Sequence, residues 1–167
     1  MAVLFDAEIS VHYGFVMLSD GDDPPDLIES RAGQRNGLCG AAIPGGLAMV
    51  TGLHTGRVPF VVRWHDEEPP VGAEWEDVVE VPFRPASPEL VLSAFEDFFD
   101  VRVPSAGSLR TRYCAVGMDA ANDRDTILDD EPTIDRYLLS LWPAEPAPDA
   151  VLRQSSAVAA YWHGVCS

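Results

Sequence analysis

A period of two governs this chain. Through the first 145 residues, short β-rich runs recur between clusters of Gly, Pro and Asp, while the 3.6-residue period of an amphipathic helix is nearly absent. Alternation of this kind turns one side of each run toward a core and the other toward water. It predicts an all-β fold, an antiparallel β-sandwich, with an added C-terminal helix. The first strand is expected over residues 8–18, with Ile9, Val11, Tyr13 and Phe15 facing the same way. Runs 38–43 and 47–53 flank Pro44-Gly45-Gly46, where proline presets the first turn position and glycine accepts positive φ, so a hairpin is expected. Strands follow at 58–64, 77–84, 90–95, 98–103, 110–116 and 136–142, although 88–95 reads equally as a helical turn. Residues 118–131 are too polar for a core element and are expected to form a loop.

The tail differs in kind. Residues 143–149 hold three prolines and form a semi-rigid connector. Asp149 is then placed to cap a helix over 150–163, with Val151, Val158, Tyr161 and Trp162 on one broad face. The chain divides on this reading into a sandwich domain over 1–145 and a helical tail over 146–167 packed on the same domain.

Charge sets the limits on function. The chain carries 27 Asp and Glu against 11 basic residues, all Arg, for a formal charge of -16. Without lysine there is no P-loop phosphate lysine, no kinase strand lysine, no Schiff base with pyridoxal phosphate and no Ser-x-x-Lys acyl-transfer site. The arginines are scattered among carboxylates, so neither direct nucleic-acid binding nor adhesion to an anionic membrane is expected. The first six residues lack a basic region and meet an acid, unlike a secretory signal. Residues 36–56 are uncharged, but six glycines and Pro44 argue for a hairpin rather than a membrane span. Cys39, Cys114 and Cys166 are odd in number and widely spaced, which suits thiols in a reducing cytoplasm.

Self-repulsion on this scale makes a partner of opposite field the natural expectation. Loops rich in acid would steer a basic protein, and could cover a nuclease's phosphate-binding groove by imitating its substrate's charge. The candidate partner-binding residues are Asp22, Asp23, Asp26, Asp66, Glu67, Glu68, Asp123 and Asp125; association of the chain with itself stays compatible with this reading. No cofactor or metal is expected. The EF-hand pattern fails because Pro24 and Pro25 interrupt one loop and Arg124 stands where a loop counted from Asp119 needs glycine. The alternative is a small hydrolase or a metal- or ligand-binding β domain. Its one thiol nucleophile candidate is Cys114, with His54 as base, although the flanks of Cys114 fit a buried strand cysteine better. His163 falls at a helix C-terminus, where a cation is favoured. Trp64, Trp75, Trp142 and Trp162 read as core and rim anchors.

Three segments, Ile9-Ser-Val-His-Tyr-Gly-Phe15, Val79-Glu-Val-Pro-Phe83 and Tyr113-Cys-Ala-Val116, resemble, in chain order, strands of the competence protein J family. Those are small acidic cytoplasmic proteins that inhibit the partner nuclease of DNA uptake. The resemblance implies an all-β sandwich that acts by stoichiometric binding. It covers about two thirds of the chain and gives no counterpart for residues 118–131 or for the tail.

Overall fold

The computed structural model describes residues 1–21 and 23–166. Strands dominate it, in two sheets. The strands are β1 (Ala2–His12), β2 (Phe15–Ser19), β3 (Cys39–Gly40), β4 (Gly46–Val50), β5 (Thr55–Trp64), β6 (Asp77–Phe83), β7 (Glu89–Ala94), β8 (Asp97–Arg102), β9 (Leu109–Val116), β10 (Arg136–Pro143) and β11 (Ala150–Arg153). Two helices, α1 (Met118–Arg124) and α2 (Ala157–Cys166), and a 3-10 turn at Glu29–Arg31 complete the described elements. The first sheet runs β1-β5-β10-β9-β6-β11 and the second β3-β4-β2-β7-β8. Between these strands pairing is antiparallel except that β5 and β10 lie parallel, Phe60 opposite Tyr137 and Trp64 opposite Leu141, and an isolated parallel bridge joins Thr55 to Thr126.

The expected first strand is two strands. Tyr13 and Gly14 both take left-handed φ, +66° and +71°, and two such residues in succession reverse the chain tightly. Here the reversal carries it from the first sheet into the second: β1 pairs with β5 and β2 with β4 and β7. Ile9 and Val11 on one side of the break, and Val16 and Leu18 on the other, enter the same buried cluster. That cluster also takes Phe60, Val62, Tyr113, Tyr137 and Leu139 from the first sheet and Leu47, Met49, Leu90, Leu92 and Val101 from the second. A smaller apolar group of Trp75, Val78, Cys114 and Leu138 lies apart from it, packed with Val71. At the ambiguous stretch around residue 90 the strand reading holds, because Leu90, Leu92 and Ala94 are buried in alternation along β7.

Two elements differ from expectation. Residues 118–131 do not stay a loop: Met118 and Ala121, three residues apart and so on one side of a helix, anchor α1 in the core. The tail helix begins at Ala157, because residues 150–153 instead extend the first sheet along β6. Asp149 caps no helix; its carboxylate accepts the backbone N–H groups of Arg35 and Asn36 at 2.9 and 2.7 Å. The first turn of α2 is held by the Asp119 carboxylate, which accepts the N–H groups of Ala157 and Val158, and by the Ser156 hydroxyl, which accepts that of Ala159.

Candidate partner-binding surface

The acids divide by reach. Every ion pair among the described residues uses a glutamate: Glu8, Glu68, Glu80, Glu89 and Glu131 serve Arg57, Arg112, Arg110, Arg102 and Arg124, with Glu80 bridging Arg110 and Arg112. The shorter aspartates take backbone N–H groups instead, as Asp20, Asp26, Asp77, Asp97, Asp119, Asp135 and Asp149 do. Much of the acid count is therefore spent inside the fold. The remainder is left to the surface.

Among the expected partner-binding residues, Asp23, Asp66, Glu67 and Asp123 are exposed and their carboxylates make no hydrogen bond or ion pair with other described residues, Asp23 accepting the Ser19 hydroxyl through its carbonyl instead. Asp26 is occupied by the N–H groups of Ile28 and Glu29, Glu68 by Arg112, and Asp125 by the Thr126 hydroxyl. Asp22 lies outside the described residues. Register fixes where these groups sit. The Tyr13–Gly14 turn and the start of β5 share one end of the molecule, and Asp125 is tied there because its carbonyl accepts the N–H groups of His54 and Thr55. Asp23 and Asp26 follow β2 and Asp66 to Glu68 follow β5, so they leave at the other end. The described candidates thus form separate patches.

A feature that sequence reasoning did not single out lies at the turn end. Tyr13, Phe95 and Phe98 are large, aromatic and 61%, 62% and 65% exposed. They are grouped: the His12 ring meets those of Tyr13 at 4.1 Å, Phe95 at 4.6 Å and His54 at 5.7 Å. With Phe15, Met17 and Pro24 they line a groove of about 250 Å³ on the outer face of the second sheet. The expectation that Ile9, Val11, Tyr13 and Phe15 share one face is overturned: Ile9 and Val11 enter the core while Tyr13 and Phe15 line the groove, because the chain turns at Tyr13 itself. The missed signal is Phe98-Phe99: adjacent strand residues point to opposite faces, so one of the two had to lie outside. Glu96 and Asp100 flank the aromatics on the same hairpin. Further along that face Asp20, Glu89 and Asp100 line a wider hollow of about 520 Å³.

The thiol alternative meets an obstacle. Cys114 is buried on β9 and its thiol is pushed up to about 12 by burial, against the partial relief of Arg112 and Arg153. A nucleophilic thiol needs the opposite shift. His54 is engaged instead at the turn end, its Nδ1 2.7 Å from the Thr55 hydroxyl. His163 is not a C-terminal cation: its Nδ1 accepts the Gly37 N–H at 2.9 Å and burial lowers its pKa. Trp64, Trp75 and Trp142 are buried and Trp162 half-buried, with the Arg31 guanidinium 4.7 Å from the Trp162 ring. No group of three or more His, Cys, Asp or Glu among the described residues is arranged to hold a metal ion, and none of the described helices is long and apolar enough to cross a membrane.

The described surface thus combines two sheets, an exposed aromatic groove and carboxylates without a cation. No family model matches the chain, and no curated protein matches it. Solved structures do. ComJ from Bacillus subtilis, an inhibitor of the DNA degrading activity of NucA, is 14% identical with a TM-score of 0.56, over 86% of this chain and 98% of that one. The product of crocagin biosynthetic gene J is also 14% identical, with a TM-score of 0.51, over 87% and 100%. The distant likeness to the competence protein J family is thus a likeness of fold. The same fold occurs in an inhibitor and in a protein of a biosynthetic gene, so fold alone does not select the function.

Proposed function

We propose that this chain is an acidic binding protein whose two sheets pack as an antiparallel sandwich, and that it inhibits a basic partner, a nuclease, by forming a one-to-one complex in the cytoplasm. The observation that carries the reading is the set of carboxylates left without a cation, Asp23, Asp66, Glu67 and Asp123 among them, on a fold shared with a nuclease inhibitor. Unpaired surface charge of one sign contributes little to the fold and raises the encounter rate with a basic protein. Asp22, Asp26, Glu68 and Asp125 add to the same field. The aromatic groove supplies what charge does not: Tyr and Phe anchors that, once desolvated, slow dissociation.

The test is a titration against the basic nucleases of the native cell. Activity should fall linearly and vanish near one equivalent of this protein. Association should slow about tenfold or more when Asp66 and Glu67 are changed to Asn and Gln together with Asp23→Asn. Undiminished nuclease activity at excess protein would end the inhibitor reading, and an on-rate indifferent to salt would remove charge from it.

A further inference from the structure

The Arg63 guanidinium has no partner among the described residues. Alternation along β5 buries Val62 and Trp64 and sends Arg63 to the outer face of the first sheet. There, register places it in one cross-strand row with Ser140 and Arg112, Ser140 in the middle. Neighbouring strands are about 4.8 Å apart, so the two arginines leave the backbone about 10 Å from each other with a hydroxyl between them. The adjoining row of that face carries Val61, Leu138 and Cys114 and is apolar. Residues 65–76 cross above these rows, tied down where the Pro69 carbonyl accepts from Arg112 at 2.7 Å and the Trp75 carbonyl from Arg153 at 2.6 Å. Between roof and sheet lies a cavity of about 130 Å³, walled by Arg63, His65, Arg112 and Ser140.

The donors in this cavity are unevenly spent. Arg112 is committed to Glu80, Glu68 and Pro69. The Arg63 side chain makes no hydrogen bond, ion pair or ring contact with any described residue, and its Nε is buried without an acceptor. The Ser140 hydroxyl and the His65 ring are likewise unused. Glu74 borders the cavity yet holds its carboxylate against Gly72 rather than Arg63. In a chain with 27 acids and 11 arginines, a half-buried arginine left unpaired runs against both composition and the rule that buried donors find acceptors. The pKa of His65 is lowered, first by burial and then by the N-terminal ammonium, Arg63 and Arg112, against the opposing charge of Asp66.

We propose that this cavity binds a small oxyanion, held by the Arg63 guanidinium and the Ser140 hydroxyl with Arg112 as a fixed charge behind them. Its volume suits an ion the size of phosphate or acetate and falls well below the roughly 300 Å³ at which sites for drug-sized ligands begin. Guanidinium paired with a hydroxyl is an ordinary oxyanion cradle. The site lies on the opposite outer face from the aromatic groove, and the proposal stands apart from the inhibitor reading.

Calorimetric titration with sodium phosphate and, separately, sodium acetate tests it, with sodium chloride holding ionic strength constant so that screening of the net charge cancels. Saturable binding of either ion is expected, with a Kd of about 1 mM or tighter. Arg63→Gln should weaken it at least tenfold, Arg63→Lys less, because the ammonium keeps the charge but loses the fork. Arg84→Gln, at an exposed arginine elsewhere, should leave it unchanged. Should Arg63→Gln fail to fold, Ser140→Ala is expected to weaken binding severalfold. Heats no different from those of chloride, or binding that survives Arg63→Gln, would overturn the proposal.

Discussion

Tyr137→Phe removes one oxygen from the middle of the core and should cost far more than the same change at Tyr113. The two rings are stacked 5.6 Å apart with planes 9° from parallel, and both residues are 1% exposed, so the apolar burial lost is the same. Their hydroxyls do different work. That of Tyr113 donates to the Val50 carbonyl at 2.8 Å. That of Tyr137 accepts the Gly52 N–H at 2.7 Å and donates to the buried Asp135 carboxylate, which also accepts the Leu53 N–H at 3.1 Å. Tyr113→Phe forfeits one neutral hydrogen bond, about 1 kcal/mol. Tyr137→Phe strands a buried N–H and strips a donor from a carboxylate whose Oδ1 already lacks a partner, for about 3–5 kcal/mol in sum. The difference should appear as a melting temperature lower by roughly 5–10 °C than that of Tyr113→Phe, at unchanged urea m-value. Acidification should narrow the gap, because protonation relieves the stranded carboxylate. Equal costs for the two variants would show that the Tyr137–Asp135–Gly52 clamp contributes nothing beyond ring packing.

The pH dependence of the wild type follows from the same carboxyl. Burial raises the Asp135 pKa above its unfolded value against the opposing hydrogen bonds from Tyr137 and the backbone. Its contribution is therefore complete below the ordinary carboxylate pKa and is lost as pH rises through the raised folded value. Urea midpoints measured over about pH 4 to 7 should fall less steeply for Asp135→Asn than for the wild type, and parallel curves would refute this. Glu80→Gln should destabilise by about 3 kcal/mol, because Glu80 serves Arg110 at 3.1 Å and the 3%-exposed side chain of Arg112 at 2.9 Å, and its loss leaves Arg110 with no carboxylate and Arg112 with only the exposed Glu68; a cost below that of an exposed pair would contradict it. Iodoacetamide near neutral pH should label Cys166 first and Cys114 only on unfolding, since burial pushes the Cys114 thiol up to about 12 and raises that of Cys39 further. Cys114→Ser should leave inhibition of the partner intact, and its loss would revive the thiol reading.

Strand positions were legible because alternation is written directly into side-chain polarity. What alternation cannot say is whether a strand continues or restarts. The apolar rhythm runs unbroken through Ile9, Val11, Tyr13 and Phe15, yet left-handed backbone at Tyr13 and Gly14 hands the chain to a second sheet. The tail shows the converse. Residues 151–162 carry helical spacing, but β6 has an open edge, and residues 150–153 pair with it before the helix begins. Helix α1 offered only Met118 and Ala121 as signal, too little to stand out from a polar stretch. At the surface the acidic residues themselves were visible. Their division into those that hold backbone N–H groups and those that face solvent depends on folded neighbours, as does the meeting of Tyr13 with Phe95 and Phe98.

The exposed carboxylates and the Arg63 cavity differ in their sensitivity to salt, which makes their functions separable in one protein. The free carboxylates are exposed, so their attraction for a basic partner acts through solvent and weakens as the Debye length shortens to about 8 Å at physiological ionic strength. Arg63 and Arg112 line a recessed, partly roofed cavity, where screening by mobile ions is weaker than on the open surface and a bound oxyanion would meet its donors directly. Raising salt should therefore slow partner association well before it disturbs a bound oxyanion. An acidic exterior also repels free anions, so an oxyanion reaches Arg63 against the field of the whole molecule and stays only through local hydrogen bonds. A basic partner seated on the protein would cancel part of that field. The two sites are then coupled in sign even without a conformational change: partner binding should tighten the oxyanion site, and by linkage an oxyanion at Arg63 should tighten the partner by the same factor.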